Sequence, residues 1–378
     1  MPDQERVLLT GVSTRALAQS AARAGYRVAV VDAFGDADLR AVADVVSLRP
    51  FRADAAARAA RGISASLVAY TSNFENHPGA VAVLGRERRL LGNPPDVLER
   101  VRHPLHLARA LAEQGFAVPR TRASAPPDGS PARRWLLKPR RSGGGHGTSA
   151  WRAGHRVPRG AYLQERVAGL PGSIVFAADG REVTPLGLTR QLVGEPSFGS
   201  RGFRYCGSLL ASREATLFPR QGELAGRAIE LARFITRTFG LRGLNGLDFI
   251  ASDGVPFPIE VNPRYSASME LVERAGGVSL FRTHLDACAG RLGDPPAASP
   301  EIVGKAIVFA RHGVVIDDPD RWEVELADIP HPGERIPAGR PICTVFARAR
   351  TGEACRAALA AAAERVYHAT AKRTKGAA

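Results

Sequence analysis

Two short apolar runs near residue 250 constrain the fold more than any other stretch. Leu247 and Phe249 flank Asp248, and after a turn at Ser252, Asp253 and Gly254, Ile259 and Val261 flank Glu260, with Asn262 next. The alternation predicts two strands joined as a hairpin, with Gly254 free to take a positive φ in the turn. Side chains on a strand alternate between faces, so Glu260 and Asn262 share a face and the hairpin brings Asp248 opposite them. Two carboxylates and an amide on one face suit Mg²⁺, which takes one or two carboxylates and fills its octahedron with water and phosphate oxygens. A solvent-facing hairpin is the default for an arbitrary Asp and Glu. Apolar flanks on both strands argue instead for burial, and buried like charges require a cation.

With 378 residues the chain is long enough for two or three domains. Before residue 93 it alternates strand and helix. An apolar run at 6–11 is followed by a helical pattern at 15–24, a second strand at 26–31 ending at Asp32, and a further strand at 67–70. This order predicts a parallel sheet. Only Gly11 stands where a dinucleotide turn needs three glycines, so that fingerprint is missing and Asp32 reads as a solvated strand end. The polar segment 71–76 either lines a ligand crevice at the strand ends or is an ordinary loop.

Asn93, Pro94 and Pro95 open a new unit with one or two helices at 95–114, then a Pro/Ser/Gly-rich linker at 123–133. A hydrophobic strand at 135–138 then delivers Lys138, one of only four lysines, just before Ser142, Gly143, Gly144, Gly145, His146 and Gly147. Glycines let backbone N–H groups curl around phosphate oxygens, and a lysine adds a compact charge on the same group. No GK[ST] follows, so this is not a Walker A loop. A flexible linker is the alternative, weakened by the cost of an unpaired ammonium in an apolar strand. Residues 161–167 read as a strand carrying Gln164, Glu165, Arg166 and Val167, with 174–177 as its hairpin partner. The glycine-rich stretch 194–207 holds Arg201, Arg204 and Tyr205, a set able to close over an anionic substrate or to form a plain loop. Residues 221–240 form the clearest amphipathic helix, stopped by Gly240, and 268–275 and 278–290 read as helices. Beyond the prolines at 295, 296 and 300, runs at 304–309, 314–316, 322–326 and 342–347 predict a small β-rich module, followed by a helix at 353–368 and a frayed basic tail at 371–378.

The formal charge of +15 is diffuse: arginines are sprinkled among alanines, which reads as a compositional habit and argues against nucleic-acid binding while leaving a preference for anionic ligands. No apolar run is long enough for a bilayer, the amino end lacks a leader pattern, and the four scattered cysteines form no CxxC pair, so a cytoplasmic protein that does not meet membrane is expected.

Taken in order, the lysine strand, the glycine loop, the Gln164–Glu165 strand end and the Asp248, Glu260, Asn262, Arg264 hairpin resemble the ATP-grasp superfamily, over roughly residues 90–300. The resemblance implies an α/β chain (α+β lobes) with the ATP-grasp fold: an N-terminal parallel α/β pre-ATP-grasp domain at 1–93, the ATP-grasp domain at 94–298 with a lid lobe near 120–190, and a small C-terminal β-rich module at 299–378. It implies ATP and Mg²⁺, with Mn²⁺ as an alternative, as cofactors. Lys138 would contact ATP phosphates and act in catalysis with Arg264, which would neutralise the transferring phosphoryl group. The loop of Ser142, Gly143, Gly144, Gly145 and Gly147 would cover the phosphates. Gln164, Glu165, Arg166 and Val167 would line the adenine edge; Asp248, Glu260 and Asn262 would hold the metal; Arg201, Arg204 and Tyr205 would meet substrate. A second phosphate lysine common in such enzymes is missing, and Arg102 is a candidate replacement.

The implied reaction is ligation of a carboxylate to an amine through an acyl phosphate, with small-molecule partners and a possible homodimer. Alternatives are a carboxylase that activates bicarbonate and a non-catalytic nucleotide-binding scaffold. Within the superfamily, Phe203, Tyr205 and Gly207, residues 328–333 and residues 339–345 resemble the biotin-carboxylase-related ATP-dependent carboligases of C1 metabolism in methylotrophs and methanogens. That likeness implies assembly of a coenzyme such as methanofuran or tetrahydromethanopterin.

Overall fold

The computed structural model describes residues 5–126 and 135–371. The 371–378 tail beyond Ala371 and most of the expected 123–133 linker therefore lie outside the described residues.

The amino-terminal alternation folds as expected. Strands β1 (Arg6–Gly11), β2 (Arg27–Asp32), β3 (Asp44–Ser47), β4 (Leu67–Tyr70) and β5 (Arg89–Leu91) form a parallel sheet in the order 3-2-1-4-5. Helices α1 (Arg15–Arg23), α2 (Ala37–Arg40), α3 (Ala53–Ala60) and α4 (Pro78–Leu84) accompany it. The order reverses between β1 and β4, so the loops after these two strands flank the crevice where open α/β sheets bind ligands. Asp32 is not a solvated strand end: it is 1% exposed and accepts hydrogen bonds from Thr14, Phe34 and Gly35. Its place at the carboxyl end of β2 lets it fix the two neighbouring loops, which period-two reading alone does not reveal.

The helices α5 (Pro95–Val101) and α6 (Pro104–Glu113) break where proline removes a backbone donor. A separate antiparallel lobe follows, made of β6 (Thr121–Arg122), β7 (Trp135–Pro139), β8 (Ser149–Ala150) and β9 (Ala161–Glu165) in the order 6-9-7-8. The predicted hairpin between 161–167 and 174–177 does not form. β9 pairs with β6 and β7, whereas β10 (Leu170–Asp179) crosses to a larger sheet and pairs with β11 (Val183–Val193) and β13 (Arg242–Ser252). Residues 166–169 between them make a passage from one sheet to another rather than a tight turn.

The large sheet is completed by β12 (Tyr205–Leu210), β14 (Val255–Asn262), β15 (Ile302–Phe309), β17 (Leu326–Ala327) and β19 (Pro341–Ala349), while β16 (Val314–Val315) pairs with β18 (Arg335–Ile336). The β-rich C-terminal segment is present, and β15 joins it to the central sheet through β12. Of the expected strand at 322–326, only Leu326 is in a strand.

One face of this sheet is apolar: Ile174, Phe176, Leu247, Phe249 and Val261 pack with Leu224, Leu231 and Ile235 of α7 (Gln221–Phe239). On the other face, Val175, Ala177 and Leu244 share a core with the parallel domain and with α8 (Met269–Gly276) and α9 (Leu280–Cys288). Helix α10 (Gly352–Ala371) packs on β15 and β19.

The two halves are also tied by charge. Arg15 of α1, 1% exposed, is forked onto Glu270 of α8 and onto Asp328, 3.0 Å away, and Lys305 of β15 reaches Glu270 at 2.7 Å. Deleting one member of a buried ionic set leaves the others without compensation. Arg15→Met is expected to cost about 3–5 kcal/mol, read as a lowered urea midpoint; an unchanged midpoint would show that the set is not mechanically important.

Candidate active site

The hairpin of β13 and β14 turns at Asp253 and Gly254, with φ of 47° and 74°. In its register Asp248 stands opposite Glu260, and Gly246 opposite Asn262. The Asn262 amide donates to Asp248 at 3.0 Å. Burial in the cleft and the facing Glu260 push the Asp248 carboxyl up to about 6. Among the described residues no cluster of three or more His, Cys, Asp and Glu side chains gathers to cage a metal. Two opposed carboxylates with an amide beside them fit a cation that takes its remaining ligands from elsewhere, as Mg²⁺ does from water and phosphate.

The carboxylates begin a polar row that crosses the sheet. Directly paired residues share a face, and the pairing runs from Glu260 through Asp248 and Ser173 to Thr189. Gln191, two residues along β11 from Thr189, stands opposite Ser208, which stands opposite Lys305. Ser173 and Gln191 hydrogen-bond Asp248. A core sheet has no packing reason to bury such a row, and each member needs partners to offset lost hydration.

Three cations surround the hairpin. Arg264 is buried and gives its guanidinium to Glu75 at 2.6 Å, to Asn262 at 3.2 Å and to the Tyr265 carbonyl at 3.0 Å. Burial works against both charges of the Arg264–Glu75 pair, but their mutual attraction outweighs it and keeps both ionised. Glu75 Oε2 and Arg264 Nε are buried with no hydrogen-bond partner among the described residues. Arg102, at the end of α5, contacts the Val261 carbonyl at 2.8 Å, Asn76 at 2.9 Å and the Ser142 carbonyl at 3.0 Å, and lies 3.6 Å from Glu260. Lys138 comes from the lobe: its ammonium donates to Gln164 at 3.0 Å, and Gln164 in turn reaches the carbonyl of Ile259, the neighbour of Glu260, at 3.5 Å. Lysine strand and acidic hairpin therefore face one cleft.

The glycine loop spans the same cleft. Asn76 and Arg102 both hold the Ser142 carbonyl, and on the far side the Gly144 carbonyl accepts from the Tyr205 amide. Gly145 has φ 76°, and a Cβ there would sit 1.8 Å from the Phe203 carbonyl, so only glycine permits this approach. Gly143 and Gly147 complete the turn. Glu165 joins the lobe to the strand before it, exchanging hydrogen bonds with the Arg120 backbone, and Arg166 and Val167 follow it. Of the three expected substrate residues, Arg201 is exposed and Arg204 bonds the Gly339 carbonyl and stacks on Phe309, so Arg204 ties the loop to the C-terminal segment. Tyr205 bonds Ser208 in the polar row at 2.8 Å, and burial pushes its phenol above the ordinary range.

The residues that sequence reasoning missed here are Glu75, Asn76, Ser173, Gln191 and Lys305. Glu75 and Asn76 lay in the polar segment 71–76, where a crevice at the strand ends was one of two open readings.

Residues 103–268 match the family model described as the ATP-grasp domain. The chain spans 97% of itself and 98% of an L-amino acid ligase from Bacillus licheniformis, at 14% identity and a TM-score of 0.68. It is similar as well to N5-carboxyaminoimidazole synthetase from Staphylococcus aureus, with 16% identity, 95% and 97% coverage and a TM-score of 0.70. The biotin carboxylase domain dimer of the Hydrogenobacter thermophilus 2-oxoglutarate carboxylase, solved with MgADP, ADP and bicarbonate, gives 15% identity, 95% and 89% coverage and a TM-score of 0.70. Among curated proteins, an uncharacterized protein of Methanocaldococcus jannaschii is 26% identical over 125 residues, 33% of this chain and 31% of that one. Residues 103–268 therefore match an ATP-grasp domain, and the chain as a whole shares the fold of these solved structures. No described helix is long and apolar enough to cross a membrane.

Two outcomes follow from the geometry. Because the Asp248 carboxyl is raised to about 6, protons compete with a divalent cation below that pH. Mg²⁺ affinity in the presence of nucleotide should fall by up to about tenfold per pH unit below 6 and level off above it, as read by calorimetry; a flat profile from pH 5 to 8 would remove Asp248 from the metal site. Gly145→Ala should detach the loop from Phe203, seen as faster hydrogen exchange at residues 143–148; unchanged exchange would contradict the contact.

Proposed function

We propose that this protein is an ATP-dependent ligase that activates a carboxylate as an acyl phosphate and passes the acyl group to an amine. The observation that carries the reading is the opposition of Asp248 and Glu260 across a hairpin whose edge is reached by Lys138 through Gln164.

In this reading Asp248 and Glu260, with Asn262, hold Mg²⁺ against the nucleotide phosphates. Lys138 contacts those phosphates from the lobe, and the loop of Ser142, Gly143, Gly144, Gly145 and Gly147 covers them. Gln164, Glu165, Arg166 and Val167 border the base. A carboxylate is a poor electrophile; its attack on the γ-phosphorus breaks the bond to ADP and converts its oxygen into part of a good leaving group. Catalysis is then positioning and charge neutralisation. Arg264, kept ionised by Glu75, lies beside Asn262 where it can balance the acyl phosphate. Arg102, 3.6 Å from Glu260, takes the place of the missing phosphate lysine by trading its carbonyl contacts for phosphate oxygens. The amine attacks the acyl carbon, its proton leaves to solvent or a nearby base, and inorganic phosphate departs.

The resemblance to the carboligases of C1 metabolism extends the reading to coenzyme assembly of the methanofuran or tetrahydromethanopterin type, and makes tyramine with glutamate a suitable first pair. Bicarbonate is the competing substrate class, named in the biotin carboxylase complex above.

The test is ADP release by the purified chain with Mg-ATP. The ligase reading expects release that needs both an acid and an amine and yields a stable amide by mass spectrometry. Release with bicarbonate alone selects the carboxylase, and tight nucleotide binding without turnover over a broad panel selects a scaffold. Glu260→Gln should lower kcat by at least about 10³-fold and Lys138→Ala should raise the KM for ATP by about tenfold or more; wild-type kinetics in both variants would remove the site.

A further inference from the structure

We propose that the cleft on the outer face of the lobe sheet is a second ligand site, taking a small anion with an aromatic or branched apolar body, and that its occupant braces the lobe against α6.

A cavity of about 560 Å³ lies between α6 and the lobe strands β6 and β7. This lies within the size range of small-molecule sites. It opens on the sheet face opposite the one that carries Lys138 and Gln164. In the lobe sheet Lys138 stands opposite Tyr162 and Leu136 opposite Gln164, so these four share a face; Trp135, opposite Glu165, is on the other. The cavity is walled by Trp135, not by Lys138 or Gln164.

The lining has two chemical parts. Leu105 and Ala108 of α6 and the Trp135 ring supply apolar wall. Trp135 is 5% exposed yet belongs to none of the three hydrophobic cores of the described residues, and its indole Nε1 is a buried donor with no acceptor among them. Arg109, Arg120 and Arg122 ring the opening, and none of their side chains makes an ion pair or a hydrogen bond among the described residues. Three exposed guanidinium forks with no side-chain partner among the described residues, beside an apolar wall, complement a carboxylate, sulfonate or phosphate whose body enters the cavity. Carrying two walls on α6 and one on the lobe, the site is filled best at one setting of the lobe. α6 itself is anchored, since Leu107 and Leu111 belong to the central core. A ligand here therefore stabilises one position of the strand that carries Lys138.

The probe is 8-anilinonaphthalene-1-sulfonate, titrated into the full chain by fluorescence and calorimetry. One site is expected. Affinity should fall by about tenfold or more in Arg109→Ala/Arg122→Ala, whose positions are exposed and do not support the fold, and should be lost in Ala108→Trp, which fills the cavity. The uncharged analogue N-phenyl-1-naphthylamine should bind about tenfold or more weakly, and the bound sulfonate should slow hydrogen exchange at residues 135–139 and 161–165. Equal affinity in the arginine variant, equal binding of the uncharged analogue, or full displacement of the probe by MgADP would each overturn the site.

Discussion

Everything at the centre of this molecule follows from two carboxylates held face to face. Antiparallel pairing puts Asp248 and Glu260 in direct opposition, each half-buried beside the buried Leu247, Phe249 and Val261. Burial and the facing Glu260 raise the proton affinity of Asp248, and such a site demands positive charge nearby. The surrounding structure meets that demand from three directions: Arg102 from the end of α5, Arg264 from the residues after β14, and Lys138 across the cleft from the lobe.

Each of these cations has a second engagement, and the architecture hangs on them. Arg264 is bound by Glu75 of the parallel domain, Arg102 by Asn76 and by the root of the glycine loop, and Lys138 by Gln164, which also touches β14. The acidic hairpin is thus connected to the parallel domain, the loop and the lobe by charged or polar contacts of a few ångströms. The polar row from Asp248 to Lys305 extends the connection along the same face of the sheet to Glu270 and Arg15.

Much of this was legible in the sequence because the signals were local. Alternating apolar residues around Asp248 and Glu260 fixed both strands, the face and the turn; a rare lysine beside four glycines marked the lobe; and proline at the first turn of α5 and α6 fixed their starts. What stayed hidden depends on which sheet a strand joins. Nothing between residues 165 and 170 distinguishes a hairpin from a crossing between sheets, so β10 was paired wrongly. Glu75, Gln191 and Lys305 sit 173, 57 and 57 residues from Asp248 in sequence and come to it only through pairing register and domain packing. Asp32 was misread for the same reason: four hydrogen bonds from loops on both sides decide its burial, and none is a property of its own strand.

The most direct test of the central claim is anomalous diffraction from crystals grown with Mn²⁺ and a non-hydrolysable ATP analogue. The account predicts a strong peak within coordination distance of both Asp248 and Glu260, with analogue phosphates completing the shell and Lys138 on their other side. A bound analogue whose metal lies away from that hairpin, or none there at all, would contradict it.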